Sequence, residues 1–333
     1  MVVVIGGTGL VGSHLLFELA QSENQIIATY QTESKIAKVK KVFEHYDSSN
    51  FNDLFTKISW KKVSVNDIVS LEEILSEGDE VYHCAAIISF HRRDFNPLMK
   101  INREGTTNVV NVCLEKKIRK LCYVSSTAAV SGRSDQEVSE ETKWKKDSDT
   151  SGYSISKNGA EREIWRGINE GLNAVIVNPC VILGAGNWSE SSLTILGKIQ
   201  KGLSFYPPGG NAIVDARDVA NVMQKLMKSD VSEDRFLLIG ENVSFQNLFI
   251  KIANRIRKKP PKQAVGAFGL NLARVIFGFV YLFSKKRSPI TYEIVNSALS
   301  TTVYSNEKCK KELGYEFHSL EETIDNAVKG RVK

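Results

Sequence analysis

The first chemistry that this sequence suggests comes from a tyrosine placed four residues before a lysine. On a helix this spacing puts both side chains on one face, where a lysine ammonium can stabilise the phenolate and lower the tyrosine pKa from about 10 toward neutrality. A phenol tuned in this way can act as a general acid or base. The spacing occurs three times, at Tyr153/Lys157, Tyr281/Lys285 and Tyr304/Lys308.

Local context distinguishes Tyr153 and Lys157 from the other two pairs. A helix is predicted from about Tyr153 to Glu170, and it follows the serine-rich segment YVSST (123–127) at the end of a predicted strand. Catalytic groups of parallel sheets gather at the carboxyl ends of the strands, so these two segments are expected to meet there. The other two tyrosines lie in an apolar stretch and near the C-terminus, and both are predicted to be structural.

A second motif is the glycine cluster in VVVIGGTGLVGSHLL, residues 2–16. The four residues before the glycines are apolar, as expected of a strand buried on both faces of a sheet, and the apolar residues after them recur at helical spacing. Such a turn lets backbone amides approach a phosphate, and no lysine follows it, which excludes a P-loop. Gly7, Gly9 and Gly12 fit G-x-G-x-x-G, whereas Gly6, Gly9 and Gly12 fit G-x-x-G-x-x-G.

Strand and helix patterns alternate along the chain, which indicates an α/β fold with a doubly wound parallel sheet. The predicted strands are 2–5, 25–30, one within 57–65, 80–86, 120–126 and 173–179, and the predicted helices include 96–116 and 153–170. The chain after Gly184 is more irregular. We expect a Rossmann-type dinucleotide-binding domain over 1–184, to which 213–240 returns. A smaller substrate-binding and capping region is expected over 185–212 and 241–333.

The composition is that of a globular chain with a small excess of basic residues. The 333 residues include 44 Lys and Arg against 38 Asp and Glu, a formal net charge of +6. The lysines are spread along the chain without interleaved aromatics, which argues against a nucleic-acid partner. The five cysteines and five histidines lack metal-site spacing, so we expect no metal and reduced thiols in a cytoplasmic protein.

One stretch departs from this pattern. Residues 264–283, AVGAFGLNLARVIFGFVYLF, are strongly apolar and are followed by the basic residues KKR (285–287). Such a segment can make a peripheral contact with a membrane. Because Asn271, Arg274 and three glycines interrupt it, we favour a helix or helix pair that packs over an apolar substrate pocket.

The motifs and their order resemble those of the extended short-chain dehydrogenase/reductase family, or NAD-dependent epimerase/dehydratase family. The segments that carry the resemblance are GGTGLVG (6–12), VYHCAA (81–86), INREGTTN (101–108), YVSS (123–126), YSISK (153–157), NPCVILG (178–184), VDARDVA (214–220) and YSNEKCKKELGYEF (304–317). They cover nearly the whole chain. VNPCVILG (177–184) is similar to the branch of dihydroflavonol reductases and hydroxysteroid dehydrogenases.

The resemblance also implies roles for individual residues. Tyr153 is the expected general acid/base, Lys157 tunes its pKa and binds the nicotinamide ribose, and Ser126 hydrogen-bonds the reacting oxygen. A shift of one residue would give the last role to Ser125 or Thr127. The implied cofactor contacts are Gly6, Thr8, Gly9, Leu10, Val11, Gly12, Gln31, Lys35, Val65, Ala85, Ala86, Tyr153, Lys157, Pro179 and Val181.

The end of the second predicted strand bears on the choice between NAD and NADP. An acidic residue there favours NAD, but this chain has the neutral Gln31, followed by Lys35 and Lys38. These lysines could hold a 2′-phosphate, so we favour NADP(H). In the NAD(H) alternative they are ordinary surface residues. Ser64 stands where the family often has an aspartate that meets the adenine amine, which indicates weaker adenine binding or a shift of the strand.

We predict an NAD(P)-dependent oxidoreductase that transfers hydride between nicotinamide and a carbonyl or alcohol of an apolar small molecule. Phe90, Trp188, Tyr206 and the 264–283 stretch would line an apolar pocket if they face the cofactor. One alternative is a nucleotide-sugar epimerase with bound NAD, for which we cannot place a diphosphate-binding cluster. Another is a non-catalytic dinucleotide-sensing protein, which has no need of a tuned phenol. Family members are often dimers, so the resemblance implies a homodimer.

Overall fold

The computed structural model describes residues 1–130, 137–282, 288 and 290–332, so Phe283 and the basic residues 285–287 lie outside the described residues. The strands are β1 (Val2–Ile5), β2 (Ile26–Tyr30), β3 (Ile58–Lys62), β4 (Glu80–His83), β5 (Lys120–Val124), β6 (Ala174–Pro179), β7 (Val181–Leu183), β8 (Gly186–Asn187), β9 (Phe205–Tyr206), β10 (Gly210–Asp215), β11 (Asp234–Leu238), β12 (Glu241–Ser244), β13 (Gln263–Ala264) and β14 (Arg331–Val332). The helices are α1 (Leu10–Ser22), α2 (Ile36–Tyr46), α3 (Phe51–Thr56), α4 (Ile68–Ile74), α5 (Phe95–Leu98), α6 (Gly105–Glu115), α7 (Gly152–Asn169), α8 (Thr194–Gln200), α9 (Ala216–Lys228), α10 (Phe245–Arg255), α11 (Ala267–Leu282), α12 (Tyr292–Leu299), α13 (Glu307–Leu313) and α14 (Leu320–Lys329).

Within the described part of the chain, seven strands form the central sheet in the order β3-β2-β1-β4-β5-β6-β11. All of its neighbouring strands are parallel. Successive strands are added toward one edge of the sheet up to β3 and toward the other edge from β4 onward, so the strand order reverses between β1 and β4. The carboxyl ends of the strands at such a point form a crevice that suits a ligand. This confirms the predicted doubly wound parallel sheet of the Rossmann type.

The alternation of buried side chains explains why β1 lies in the middle of the sheet. Val2 and Val4 contribute to one apolar core, with residues of α1, α2 and α9, while Val3 and Ile5 contribute to the other, with residues of α4, α6 and α7. Successive side chains of a strand point to opposite faces, so an uninterrupted apolar strand needs helices on both sides. The two helical layers supply that cover.

The chain after β6 is shared between the central sheet and smaller sheets. Strand β10 pairs with β7 and β12, whereas β11 adds to the edge of the central sheet beside β6. Helix α9, between these two strands, packs on α1. Two short parallel pairs, β9 with β13 and β8 with β14, connect later segments to this part of the chain. A third apolar core, with residues of α8, α10 and α14, lies beneath these small sheets.

Helix α11 pairs with α12 and leaves much of its own surface exposed, so its packing over an apolar substrate pocket stays a prediction. None of the described side chains of residues 267–281 is buried, and Phe268 and Phe279 are 83% and 66% exposed. The helix packs on α12, which covers only part of its surface. Among the described residues, no helix combines the length and the apolar character needed to cross a bilayer.

Candidate active site

The first turn of α7 brings Tyr153 to the carboxyl end of β5. Helix α7 begins at Gly152 because the Ser151 hydroxyl accepts a hydrogen bond from the Ser154 backbone amide at 3.0 Å, which caps the helix N-terminus. The Ser126 hydroxyl lies close enough to the Tyr153 phenol to act on its pKa. The Phe90 ring packs edge-on against the Tyr153 ring, with 5.9 Å between centroids. The structure therefore brings together two predicted catalytic residues and one predicted substrate residue.

The pKa of Tyr153 is shifted in the direction opposite to the one that its spacing to Lys157 led us to expect. Burial raises the pKa of Tyr153 to about 12, and the interaction with the Ser126 hydroxyl opposes this rise. The Lys157 ammonium is directed instead at other acceptors, since Nζ donates to Tyr123 Oη at 2.8 Å and to the Val124 carbonyl at 2.7 Å. The expected lowering of the phenol pKa is thus not present in this structure.

Lys157 is enclosed in the protein and held in one position. Its side chain is 1% exposed, and Nζ lies 4.6 Å from the centroid of the Tyr123 ring. Burial lowers the pKa of Lys157 to about 7, while the nearby Glu161 carboxylate raises it in part. A lysine in this setting has two fixed acceptors and a fixed aromatic face, so its direction is determined before any ligand binds.

Glu161 is a functional neighbour that the sequence reasoning missed. One of its oxygens accepts hydrogen bonds from Ser125 Oγ at 2.7 Å and from Asn178 Nδ2 at 2.8 Å, and the other accepts from Arg235 Nη1 at 3.0 Å. Asn178 Nδ2 also donates to the Ser126 carbonyl at 3.0 Å. Ser125 therefore points to the interior, and Ser126 is the hydroxyl that meets Tyr153. The signal that could have found Glu161 is its position one helical turn after Lys157.

Asn102 fixes the chain that leaves β4. Its side chain accepts a hydrogen bond from the Ile87 amide at 2.8 Å and donates to the Ile87 carbonyl at 3.0 Å and to Ser156 Oγ at 2.9 Å. Asn102 lies in a π-helical turn, Met99–Glu104, between α5 and α6, where one helix was predicted over 96–116. The turn joins the backbone after Ala85 and Ala86 to the helix that carries Tyr153.

The glycine loop after β1 is closely packed at two of its predicted positions. Gly6 has a φ of +90°, and a Cβ there would lie 2.6 Å from the Ala85 amide nitrogen. A Cβ on Gly12 would lie 2.3 Å from the Gly6 carbonyl oxygen. Both positions therefore require glycine, which is consistent with the wider of the two glycine patterns. The loop consequently lies directly beside the end of β4.

The residues around this loop fit the pyrophosphate of a dinucleotide. Helix α1 starts after Gly9, and no side chain caps its N-terminus, so its first amides are available to an anion. Gly9 is exposed, Thr8 and Leu10 are partly exposed, and Val11 is buried. The helix dipole adds a partial positive charge at the same point.

The lysines after β2 already have an anionic partner. Lys35 Nζ lies 3.7 Å from one Glu190 oxygen, and Lys38 forms a hydrogen-bonded ion pair with the other. Burial would raise the pKa of Glu190, but hydrogen bonding to Lys38 and the charge of Lys35 lower it. Gln31 donates a hydrogen bond to the Val63 carbonyl. Glu190 was not expected from the sequence because it lies far along the chain from both lysines.

The remaining predicted cofactor contacts lie at the same sheet edge. Pro179 ends β6 and is buried, Val181 begins β7 and is half-buried, and Ala86 after β4 is exposed. Val65, after β3, is buried, and its carbonyl accepts a hydrogen bond from Asn108 Nδ2 at 3.0 Å. The side chain of Val65 packs against Gly105 at the start of α6.

The other two predicted substrate residues have partners in the later part of the chain. Trp188 is 6% exposed, belongs to the third apolar core, and donates its indole N–H to the Ala327 carbonyl at 3.1 Å. We correct its assignment to a core residue that holds α14 in place. Tyr206 lies in β9, whose partner β13 precedes α11, and its carbonyl accepts a hydrogen bond from Val265.

Comparison with known proteins identifies the family. The model of the NAD dependent epimerase/dehydratase family matches residues 2–240, and the chain belongs to this family. A protein of Synechocystis sp. named after dihydroflavonol 4-reductase is 26% identical over 333 aligned residues, covering 98% of this chain and 92% of that protein. Anthocyanidin reductase of Arabidopsis thaliana is 28% identical over 296 residues, covering 79% and 81%. These findings confirm the resemblance to extended short-chain dehydrogenases/reductases and to the dihydroflavonol-reductase-like branch.

Solved structures share the fold over almost the whole chain. The crystal structure of gox2253 has a TM-score of 0.79 at 25% identity and covers 98% of this chain and 96% of that chain. Yeast methylglyoxal/isovaleraldehyde reductase Gre2 complexed with NADPH has a TM-score of 0.73 at 17% identity, covering 99% and 97%. The Bordetella bronchiseptica enzyme WbmH in complex with NAD+ has a TM-score of 0.72 at 16% identity, covering 98% and 96%. The family supports an NAD(P)-dependent enzyme, and these neighbours show that the chain has the fold of that family.

Proposed function

We propose that this protein is an NAD(P)-dependent reductase that transfers hydride between a nicotinamide and the carbonyl carbon of an apolar small molecule. The observation that carries the proposal is that the Tyr153 phenol lies close to the Ser126 hydroxyl while the Phe90 ring packs edge-on against it. A phenol and a serine hydroxyl at one point can both donate to a carbonyl oxygen as negative charge develops on it.

Tyr153 is proposed to act as the general acid. Because burial raises its pKa to about 12, the phenol keeps its proton at neutral pH, and this is the form that can protonate an alkoxide. Ser126 would hold the carbonyl oxygen against Tyr153. A nicotinamide bound at this sheet edge would supply the hydride. The protonated phenol is the form that the step from carbonyl to alcohol requires.

Lys157 is proposed to orient the cofactor ribose rather than to tune the phenol directly. Two of its three ammonium protons are donated to Tyr123 Oη and the Val124 carbonyl, which leaves one donor for the ribose.

The dinucleotide would be bound by residues 1–184 together with 213–240. The segments 185–212 and 241–333 would cover the substrate.

We propose NADP(H) as the preferred cofactor. Gln31 presents no negative charge to a 2′-phosphate, and Lys35 and Lys38 follow it four and seven residues later. Glu190 competes for these lysines and reduces the preference. Separate titrations with NADPH and NADH, followed by nicotinamide fluorescence, should show tighter NADPH binding. The variant Glu190→Gln should increase the NADPH-to-NADH affinity ratio about tenfold, since one competing anion is removed. Tighter binding of NADH by both proteins would contradict the proposal.

The proposed substrate is an apolar aldehyde or ketone because Phe90 packs on the catalytic phenol.

A cytoplasmic location is also part of the proposal, and the five free thiols support it. The homodimer implied by the family stays a prediction, and sedimentation of the purified chain would test it.

Transfer of an isotope from labelled cofactor distinguishes this proposal from the two alternatives. The protein is incubated with nicotinamide-deuterated NADPH or NADH and with a panel of apolar aldehydes and ketones or with nucleotide sugars. Deuterium at the carbinol carbon of an apolar product is the expected result. Conversion of nucleotide sugars alone, without net cofactor oxidation, would indicate an epimerase. Cofactor binding without turnover of any compound would indicate a sensing protein.

A further inference from the structure

Helix α11 has one uninterrupted apolar face turned to solvent. Phe268, Leu272, Val275, Ile276 and Phe279 follow the spacing i, i+4, i+7, i+8 and i+11, which places them on one side of the helix. Their exposed fractions range from 49% to 83%. Contiguous apolar surface of this kind marks a site of interaction.

The opposite side of α11 is attached to the rest of the protein. Arg274 lies over the Tyr292 ring of α12, 5.6 Å from its centroid, and Phe277 stacks with Tyr281 along the helix. Tyr292 in turn donates a hydrogen bond to Asp149 at 2.7 Å, shortly before the start of α7. These contacts connect α11, through α12, to the segment that precedes the Tyr153 helix.

The sequence on either side of α11 is rich in basic residues. Between Glu241 and Glu293 the sequence contains ten Lys or Arg residues and no Asp or Glu, although the whole chain has 44 basic and 38 acidic residues. Lys251 and Arg255 pair with acidic residues of α14. The basic residues that follow them, Arg257, Lys258, Lys259 and Lys262, are exposed and form no ion pair with a described residue.

We propose that α11 is an interfacial helix that docks this protein on the surface of an anionic lipid bilayer. An apolar helix face accompanied by unpaired basic residues matches both the hydrocarbon boundary and the negative headgroups of such a bilayer. The described part of the helix has 16 residues, or about 24 Å, and its exposed apolar residues Phe268–Phe279 share one side, so we place it along the bilayer surface.

A second copy of this chain fits the face less well. A two-fold interface places the same patch of both subunits together, so the basic residues near α11 would face each other and repel. The docking does not depend on the proposed reaction, because it rests only on the surface of α11 and the charges beside it.

Flotation of the full-length protein with lipid vesicles tests the proposal. Vesicles of phosphatidylcholine with about one third phosphatidylglycerol should bind the protein, and binding should fall when NaCl is raised from about 0.1 M to about 1 M. The double variant Phe268→Glu/Phe279→Glu should lower the partition coefficient at least tenfold. The matched variant Val69→Glu/Val303→Glu, which alters two exposed apolar residues elsewhere, should bind like the original protein.

Three results would overturn the proposal. The first is a lack of binding to the anionic vesicles, and the second is equal binding by the Phe268→Glu/Phe279→Glu variant. The third is a concentration-dependent dimer in light scattering that this variant abolishes while vesicle binding is unchanged, which would assign the face to contact between copies. Because both phenylalanines are exposed, circular dichroism and melting of the variant are expected to match the original protein.

Discussion

The sheet edge that carries Tyr153 and the helix α11 satisfy opposite physical requirements. At the sheet edge, the polar groups of Lys157 and Glu161 are buried and have specific partners inside the protein. On α11, large apolar side chains such as Phe268 are exposed. Burying a polar group without a partner costs free energy, so the sheet edge must supply partners. An exposed apolar side chain is tolerated in the folded protein, and free energy is gained when a ligand or surface covers it.

This difference indicates how each region depends on the rest of the fold. The sheet edge gains its geometry from hydrogen bonds between segments far apart in the chain, so a single atom removed there changes both position and stability. The exposed face of α11 contributes little to the stability of the fold, so its substitution should affect only what binds to it. Matched substitutions in the two regions test this contrast.

The largest effect is expected from Tyr153→Phe. Loss of the phenol proton should lower turnover about 10²–10⁴-fold, the range of a general acid, while the dissociation constant of the cofactor stays within about twofold. Tyr281→Phe is the control, because Tyr281 also precedes a lysine by four residues but lies on α11, and it should keep full turnover. Steady-state kinetics and fluorescence titration measure the two quantities. Equal activity of both variants would remove Tyr153 from the reaction.

Substitution of Glu161 should give the next largest effect. Glu161→Ala removes the carboxylate that pairs with Arg235 and accepts hydrogen bonds from Ser125 and Asn178, so we expect a loss of about 3 kcal/mol in the free energy of unfolding. Phe268→Gln, on the exposed face of α11, should change it by less than about 0.5 kcal/mol. Urea unfolding followed by circular dichroism compares them, and similar values for the two variants would refute the contrast.

Two glycine substitutions make a closely matched pair. Gly12→Ala places a Cβ 2.3 Å from the Gly6 carbonyl oxygen, so the loop must shift and dinucleotide affinity should fall at least tenfold. Gly278→Ala on α11 meets no atom within 4 Å and should raise stability by about 0.5–1 kcal/mol through helix propensity. Cofactor titration and thermal melting are the measurements. Unchanged affinity in Gly12→Ala would mean that the loop does not hold the dinucleotide.

The smallest effect concerns pH and lies outside both regions. The hydrogen bond from His318 to the buried Asp218 raises the pKa of His318 above 6.5, against the opposing effect of burial. The protonated form is therefore favoured by folding, so its contribution is complete below about pH 6.5 and is lost as pH rises through the higher folded-state pKa. Relative to His318→Gln, the original protein should be more stable at pH 6 than at pH 9, by less than about 1 kcal/mol because His318 is partly exposed. Urea unfolding at both pH values measures the difference, and a constant or reversed difference would contradict the expectation.

Much of the architecture was accessible from the sequence because it is encoded in local patterns. The apolar run of β1, the glycines after it and the helical spacing that follows define a strand, turn and helix within 16 residues. The position of Tyr153 at the start of a helix after a serine-rich strand was equally local. The motif order then indicated the family. Periodicity and turn chemistry are properties of neighbouring residues, and these can be read without a fold.

The features that depended on distant segments were decided by the tertiary structure. The sequence pairs Lys157 with Tyr153, but the packing of α7 on β5 directs its ammonium to Tyr123 and the Val124 carbonyl. Likewise, Glu190 meets Lys35 and Lys38 only because the chain after β8 returns to α2. Hydrogen-bond partners and burial depend on which surfaces meet after folding, and no local pattern specifies them. The sequence by itself therefore determined the fold class, the family motifs and the candidate residues, whereas the fold decided which side chains face one another and which apolar helix remains exposed.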